Sequence, residues 1–305
     1  MVENPVADPS ASRRVMIFAN PIAGRGRGER MAQEIQTRLK ADGYDTQLFL
    51  KKAADVPADE VSAPCRAMVI IGGDGTLRAT LQRVLDAGKL PPVIPVPLGT
   101  ANMMAKYLNI NFTDEDLAPR VAAAVASPRF RPLEAGRANG KMFIQVAGVG
   151  FDACLVQYLD ERRRGPITPF SYTMPALLAL RDFHPHRIHV VCNGVEVFPE
   201  QPGMALVGNI PQYGAGFPVL VNAQADDNLL DLFVVPVRSR IELIKMFLTA
   251  ASGEHLRAEG VVYLKGTHFQ ISAPQPVPLQ IDGDPAGTTP VSIDLLPVKI
   301  PFIVP

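Results

Sequence analysis

Apolar runs that break off into glycine and asparagine set the rhythm of the first half of the chain. Val15-Met16-Ile17-Phe18 is continuous enough for a buried strand, and it runs into Asn20-Pro21-Ile22-Ala23-Gly24-Arg25-Gly26. Ala32, Ile35 and Leu39 then recur at helical spacing, and that pattern stops near Gly43. Asp45–Lys51 alternates as a strand. The apolar run Ala67-Met68-Val69-Ile70-Ile71 ends in Gly72-Gly73-Asp74-Gly75-Thr76, after which Leu77, Leu81, Val84 and Leu85 share one helical face. Val93-Ile94-Pro95-Val96 is a further short strand, followed by Pro97-Leu98-Gly99-Thr100-Ala101-Asn102 and a helical stretch from Met103 to Leu108. Three buried strands that each end in a glycine-rich polar loop before a helix predict a parallel α/β sheet. In such a sheet the ligand-binding loops gather at the carboxyl edge.

The texture changes after residue 128. Strand-like segments dominate, joined by Asn139-Gly140 between Pro132–Arg137 and Met142–Ala147, and by Asn193-Gly194 between Ile188–Val191 and Val195–Phe198. Further strands are predicted at Met204–Val207, Leu229–Val235, Val261–Leu264, His268–Ser272, Val277–Ile281 and Val291–Leu295. Two helical stretches, Ser171–Phe183 and Ile241–Ala251, interrupt them. An α/β domain followed by a β-rich domain, a sandwich, is the expected architecture. The chain carries no internal repeat and no low-complexity tract.

Composition narrows the function. A chain of 305 residues that is 47% hydrophobic can bury a core large enough for two domains. Its 30 basic residues balance 30 acidic ones, which argues against a nucleic-acid partner. Cys65, Cys154 and Cys192 are odd in number and lack metal-binding spacing, so a reduced, cytoplasmic compartment is expected. No run reaches the roughly 18–20 apolar residues of a membrane span. Met1–Ser12 has no apolar export core and reads as a loose tail.

Glycines at a strand-to-helix turn let backbone approach a ligand closely, and the helix start behind them offers N–H groups and positive potential to phosphate. Asp74 would repel bare phosphate, so a metal ion or a reacting hydroxyl is expected between them. The residues therefore point to phosphoryl transfer. No Gly-x-x-x-x-Gly-Lys-[Ser/Thr] is present, which excludes a P-loop. Gly24-Arg25-Gly26-Arg27-Gly28-Glu29 fails the dinucleotide fingerprint at its last position. Gly148-Val149-Gly150-Phe151-Asp152-Ala153 matches it, but Tyr172 stands where an acid is needed. Arg25 and Arg27 suit either nucleotide phosphates or a solvated helical turn. The histidines show no metal-ligand spacing. Ala225-Asp226-Asp227-Asn228-Leu229 reads as a turn or as a site for a hard cation, and Ile281-Asp282-Gly283-Asp284 as a tight turn or as displayed carboxylates.

Gly72-Gly73-Asp74-Gly75-Thr76, preceded by Asn20-Pro21-x-x-Gly24 and followed by Pro97-x-Gly99-Thr100-x-Asn102, resembles the diacylglycerol kinase catalytic-domain family, which includes bacterial lipid kinases and the sphingosine and ceramide kinases. Gly148-x-Gly150-Phe151-Asp152, Asp226-Asp227 and Ile281-Asp282-Gly283-Asp284 recur in the family's order, so the resemblance spans nearly the whole chain. It implies a Rossmann-like α/β ATP-binding domain over residues 1–130, to which residues 298–305 return. A β-sandwich domain over residues 131–297 would take the lipid, with the active site in the cleft between the two. Asn20, Pro21, Gly24, Gly72, Gly73, Asp74, Gly75, Thr76, Thr100 and Asn102 match nucleotide-contacting positions. Gln224, Asp227 and Leu229 match a magnesium site of one carboxylate and two backbone carbonyls. Asp284 matches the proposed proton acceptor, Glu134 a second acid near it, and Asp74 an acid acting through Mg²⁺ or an ordered water.

The chain departs from the family's pattern at several of these places. Arg78-Ala79 stand where bacterial members usually have Asn-Glu, Met103 where Asp commonly follows the motif asparagine, and Asn228 where Gly follows the metal-site Asp. Asp284 is one methylene shorter than the usual Glu, and Glu134 one longer than the usual Asp. The implied activity is ATP- and Mg²⁺-dependent phosphorylation of the hydroxyl of a membrane lipid such as diacylglycerol, ceramide or a sphingoid base. The partner is then a membrane surface, met transiently by a peripheral protein, and a homodimer is left open. Arg162-Arg163-Arg164 with Phe170, Tyr172, Met174 and Leu177 is the expected membrane contact. Two other readings stay open: a soluble-substrate kinase of the NAD kinase type, and a catalytically degenerate nucleotide- or lipid-binding regulator.

Overall fold

Buried on both faces, a parallel strand needs apolar side chains at every position, and Ala67–Ile71 are all 2% exposed or less. A computed structural model places this run at the centre of a mostly parallel sheet. It describes residues 12–20, 23–88, 90–161, 180–181, 184–213, 217–250 and 252–305. Pro21 and the segment Arg162–Leu177 lie outside the described residues, as does most of the helix expected at Ser171–Phe183.

The chain divides into two units, Met1–Leu133 with Lys299–Pro305, and Glu134–Val298. In the first, β1 (Arg14–Ala19), β2 (Asp45–Phe49), β3 (Ala67–Gly72) and β4 (Val93–Pro97) run parallel in the order β2-β1-β3-β4. β19 (Ile300–Ile303) continues the sheet parallel to β4, and β5 (Phe130–Leu133) closes it antiparallel to β19. Pro95 lacks an N–H yet sits inside β4. The sheet tolerates it because β19 meets β4 only at Val93. Helix α1 (Arg27–Ala41) buries Met31, Ala32, Ile35 and Leu39. A short α2 (Ala58–Ser62) precedes β3, and α3 (Asp74–Asp86) buries Leu77, Leu81 and Val84. Thr80 rather than Leu85 completes that buried face. α4 (Met103–Tyr107) and α5 (Leu117–Ala126) follow, the latter burying Leu117, Val121 and Val125 in a pattern the sequence reading passed over.

The second unit is antiparallel. Its strands are β6 (Gly136–Ala138), β7 (Lys141–Phe143), β8 (Val146–Val149), β9 (Arg187–Cys192) and β10 (Val195–Gly208). After the short β11 (Gln212–Tyr213) and β12 (Phe217–Pro218) come β13 (Leu230–Pro236), β14 (Val262–Gly266), β15 (His268–Ser272), β16 (Pro278–Ile281), β17 (Asp284–Thr288) and β18 (Val291–Leu295). The long β10 serves two layers: its first half pairs with β9, and its second half with β8 and β13. Register shifts around Phe198 bend it from one layer to the other. Phe143, Phe198, Phe233 and Phe269 are fully buried, and α6 (Phe151–Glu161) and α7 (Arg240–Ala250) complete the unit.

Asn139-Gly140 and Asn193-Gly194 form the expected two-residue hairpins, all four residues at positive φ. Two expected strands are each broken in two. Pro132–Arg137 divides at Glu134, so that β5 belongs to the first unit and β6 to the second. Met142–Ala147 bends at Ile144-Gln145, where the Asp282 carboxylate takes backbone N–H groups that a ladder would otherwise use. All three cysteines are free, and burial, then Asp152, pushes the Cys154 thiol up to about 11.

Candidate active site

In an open parallel sheet, ligands bind beyond the carboxyl ends of the strands where the strand order reverses, here between β1 and β3. The loops after β1, β3 and β4 meet at that edge. Asn20 N–H donates to Ile71 O at 3.3 Å, and Leu98 N–H to Gly72 O at 2.9 Å. Gly73 and Gly99 touch backbone to backbone, so a Cβ on Gly99 would lie 2.6 Å from the Cα of Gly73. Asn102, at φ 48°, accepts Gly99 N–H on Oδ1 at 2.9 Å and donates from Nδ2 to Gly99 O at 2.8 Å. Its amide thus closes the loop on itself.

Asp74 couples two of the loops. Its Oδ2 accepts Met103 N–H at 3.0 Å and its Oδ1 accepts Met104 N–H at 3.1 Å, so the carboxylate of one helix start caps the start of another. The start of α3 itself has Gly73 as its N-cap and no side-chain cap. Its first N–H groups have no acceptor within the helix and are suited to an anion. Gly75 is exposed, and Asp74 and Thr76 are half-buried beside it. Gly24 lies in the 3₁₀ turn Ala23–Gly26, and Thr100 is exposed at the tip of the third loop. Arg27 is turned to Asp114, 2.5 Å away, instead of standing ready for a phosphate.

The second unit holds the other acids. Asp282 and Gly283, both at positive φ, make the β16–β17 turn. Asp282 accepts N–H groups from Ile144, Gln145 and Val146, each at 2.9 Å. The tight-turn reading of Asp-Gly is therefore right, and Asp282 is an anchor. Asp284, half-buried, begins β17 opposite Ile281. Glu134 is buried and its Oε1 accepts Asn228 N–H at 2.5 Å. The buried Asn209 donates from Nδ2 to Glu134 O at 2.7 Å and to Ile144 O at 3.4 Å. A chain of hydrogen bonds thus joins Glu134, through Asn209 and residues 144–146, to the turn that carries Asp284.

A second support reaches that turn from α6. Gly283 N–H donates to Gln280 Oε1 at 2.8 Å, and Gln280 Nε2 donates to Asp152 Oδ2 at 3.0 Å. Tyr213 OH donates to the same Asp152 oxygen at 3.3 Å. Asp152 folds over Gly148, where an added Cβ would meet its Oδ2 at 1.8 Å. Burial raises its pKa from 3.8 to about 6 against these hydrogen bonds.

The loop before β13 is held differently. Lys265 Nζ lies 2.6 Å from Asp227 Oδ2 and 3.3 Å from Asp231 Oδ2, and donates to Asn222 O at 3.1 Å. Asp227 Oδ1 accepts Leu229 N–H at 3.1 Å. Tyr263 OH donates to Asp231 Oδ1 at 2.7 Å. Burial opposes the charge on Lys265, but the hydrogen bond and charge of its two carboxylate partners outweigh it and raise its pKa. Burial also raises that of Asp231.

Two family models cover the chain. That of the diacylglycerol kinase catalytic domain matches residues 14–137, and that of the YegS C-terminal NAD kinase beta sandwich-like domain matches residues 145–304. The chain belongs to the diacylglycerol kinase family. It is 28% identical over 302 residues to a diacylglycerol kinase of Mycobacterium tuberculosis, covering 96% of this chain and 95% of that one. It is 25% identical over 285 residues to one of Staphylococcus carnosus, covering 92% and 91%. Two crystal structures from Bacillus anthracis str. Sterne share the fold. One has a TM-score of 0.75 at 20% identity, covering 96% and 95% of the two chains. The other, of a diacylglycerol kinase, has a TM-score of 0.68 at 18%, covering 96% and 97%.

The protein is thus an enzyme of the lipid kinase class. In this diacylglycerol kinase relative, Asn20, Gly24, Gly72, Gly73, Asp74, Gly75, Thr76, Thr100 and Asn102 all fall on the three loops at one sheet edge. Within that set, Asp74 and Asn102 spend hydrogen bonds on shaping the loops. In the trio matched to a magnesium site, a cation of the chain itself, Lys265, stands against the carboxylate. The single carboxylate, Asp227, already bonds an ammonium on one oxygen and an N–H on the other. Asn209, Gln280 and Lys265 were missed by sequence reasoning, since each is a single polar residue inside a strand-rich stretch. Only the alternation of β14, which puts Lys265 on the face of Tyr263, hinted at one of them.

Proposed function

We propose that the protein transfers the γ-phosphoryl group of ATP to the hydroxyl of a membrane lipid, with diacylglycerol as the first acceptor to test. The observation that carries this is the convergence of three glycine loops on the uncapped start of α3. The kinase family makes ATP the donor, and backbone N–H groups there suit its phosphates. Mg²⁺ would enter with the nucleotide and neutralise phosphate charge, since it needs only one or two carboxylates beside phosphate oxygens and water. Asp74 keeps acceptor capacity beyond its two N–H bonds and is the carboxylate assigned to it.

The chain's own residues supply positioning and one proton transfer. The lipid oxygen attacks the γ-phosphorus in line, the bond to the β-phosphate oxygen breaks, ADP leaves, and the hydroxyl proton passes to Asp284. Glu134 and Asp282 hold the backbone around Asp284 in place. A peripheral, cytoplasmic enzyme meeting its substrate at a membrane surface is the matching location, and no helix among the described residues is long and apolar enough to cross a membrane.

γ-Labelled ATP offered with diacylglycerol, ceramide, sphingosine and polyprenol, with products separated by chromatography, tests the reading. Label in a lipid is expected, and Asp284→Asn should lower kcat by about 100-fold or more. Label in NAD but in no lipid would replace the reading with a soluble-substrate kinase. Nucleotide binding without any transfer would replace it with a regulator.

A further inference from the structure

Helix α7 carries two apolar stripes. Leu243, Met246 and Ala250 are buried against Phe151, Phe233 and Val235. Ile241, Ile244 and Leu248 repeat the same i, i+3, i+7 spacing but are 66%, 42% and 74% exposed. At ~100° per residue the second stripe lies about 160° round the helix from the first. Among the described residues only five large hydrophobic side chains are exposed, and three of them are these. Single exposed hydrophobics need no explanation, but three in one line on one helix do.

The surroundings of the stripe select its partner. Arg240 and Lys245 fall on its two flanks by the same helical geometry, and Arg238 stands just before the helix. All three are exposed, and none of their side chains forms an ion pair with an acid among the described residues. The single acid of the helix, Glu242, falls between Lys245 and the buried stripe and is used locally: its N–H donates to Ser239 Oγ at 3.3 Å, and its Oε2 accepts Arg238 N–H at 2.6 Å. It acts as a helix cap, and one acid against three cations leaves the face net positive.

We propose that this face of α7 docks the enzyme on an anionic lipid bilayer, the apolar stripe entering the acyl boundary and Arg238, Arg240 and Lys245 meeting the headgroups. Apolar side chains ringed by cations whose stems can lie along the interface are what such a surface binds. A second copy of the chain fits worse. A symmetric contact would set the same cations against one another, and three side chains fall far short of the roughly 20–30 residues a side of a stable interface. The choice of a bilayer rests on the lipid kinase reading, because the acceptor of such an enzyme resides in one.

Sedimentation of the full chain with vesicles tests it. The protein should pellet with phosphatidylcholine vesicles that contain phosphatidylglycerol, and less with phosphatidylcholine alone. Ile241→Ser/Ile244→Ser/Leu248→Ser and, separately, Arg238→Gln/Arg240→Gln/Lys245→Gln should each lower partitioning about tenfold or more. Both sets lie on the surface, so an unchanged thermal transition is expected. Transfer to a short-chain diacylglycerol dispersed without vesicles should also be unchanged. Equal partitioning of wild type and both variants would overturn the docking face. So would a dimer, seen by sedimentation velocity, that the serine variant dissociates. Vesicle binding lost in both variants, with no lipid phosphorylated by the wild type, would keep the docking face and reject the kinase reading instead.

Discussion

Lys265 places its ammonium against Asp227 and Asp231, where the family pattern leads one to expect a divalent ion. The lysine supplies a fixed positive charge from within the chain and ties β14 to the loop before β13. Adding Mg²⁺ or a chelator to the nucleotide-free protein should therefore leave its melting temperature unchanged. Lys265→Met should lower stability, and because the pair is partly exposed the expected loss is only about 1–2 kcal/mol. A wild-type melting temperature that rises with Mg²⁺ would contradict this. Asp152 makes a different prediction. Its folded pKa, about 6, stands above the ordinary 3.8, so the native state binds the proton more tightly than the unfolded chain does. The stabilising contribution is complete below the ordinary value and lost as pH rises through about 6, a span of about 2–3 kcal/mol. Asp152→Asn should remove that slope, so that the variant gains on the wild type between about pH 4 and pH 8 in denaturant titrations. A parallel pH dependence in both proteins would show that Asp152 is not the titrating group.

Among the elements, the loops after β3 and β4 behave as one object. Gly73 and Gly99 meet through their backbones, and Asp74 reaches across to start α4. Gly99→Ala would put a methyl 2.6 Å from a backbone atom that has no rotamer to escape into. The expected cost is about 1–3 kcal/mol in stability, with nucleotide affinity reduced about tenfold or more, as read by calorimetric titration. Wild-type affinity in that variant would mean that the loop spacing does not govern nucleotide binding. The three loops were visible in the sequence because each is local, with a strand, its glycines and the next helix contiguous in the chain. The supports of Asp284 were not, because Asn209, Gln280 and residues 144–146 come together only through strand pairing.

At the scale of the whole molecule, the last residues complete the first sheet. Ile300, Phe302 and Ile303 are at most 1% exposed, and β19 lies between β4 and β5. Burying each such side chain is worth about 1.5–3 kcal/mol, and a domain's net stability is only about 5–15 kcal/mol. Deleting residues 299–305 should therefore unfold the first unit while leaving the second protected. Hydrogen exchange would show the loss in β1–β4 and not in β9–β18. Protection unchanged in both units would show that the strand is dispensable.

Local signals were enough for the strand-loop-helix repeats, the Asn-Gly hairpins, the buried faces of α1 and α3, and the split between a parallel and an antiparallel half. Hydrophobic period and turn chemistry act over a few residues, so the chain states them directly. The partners of its polar side chains are a separate matter. Asp74 caps a helix 29 positions on, Asp282 anchors a segment 138 positions back, and Lys265 pairs with an acid 38 positions away. A carboxylate in a turn looks the same whether it will hold a metal, an ammonium or three backbone N–H groups. Only tertiary folding decides which of these donors comes within hydrogen-bonding distance.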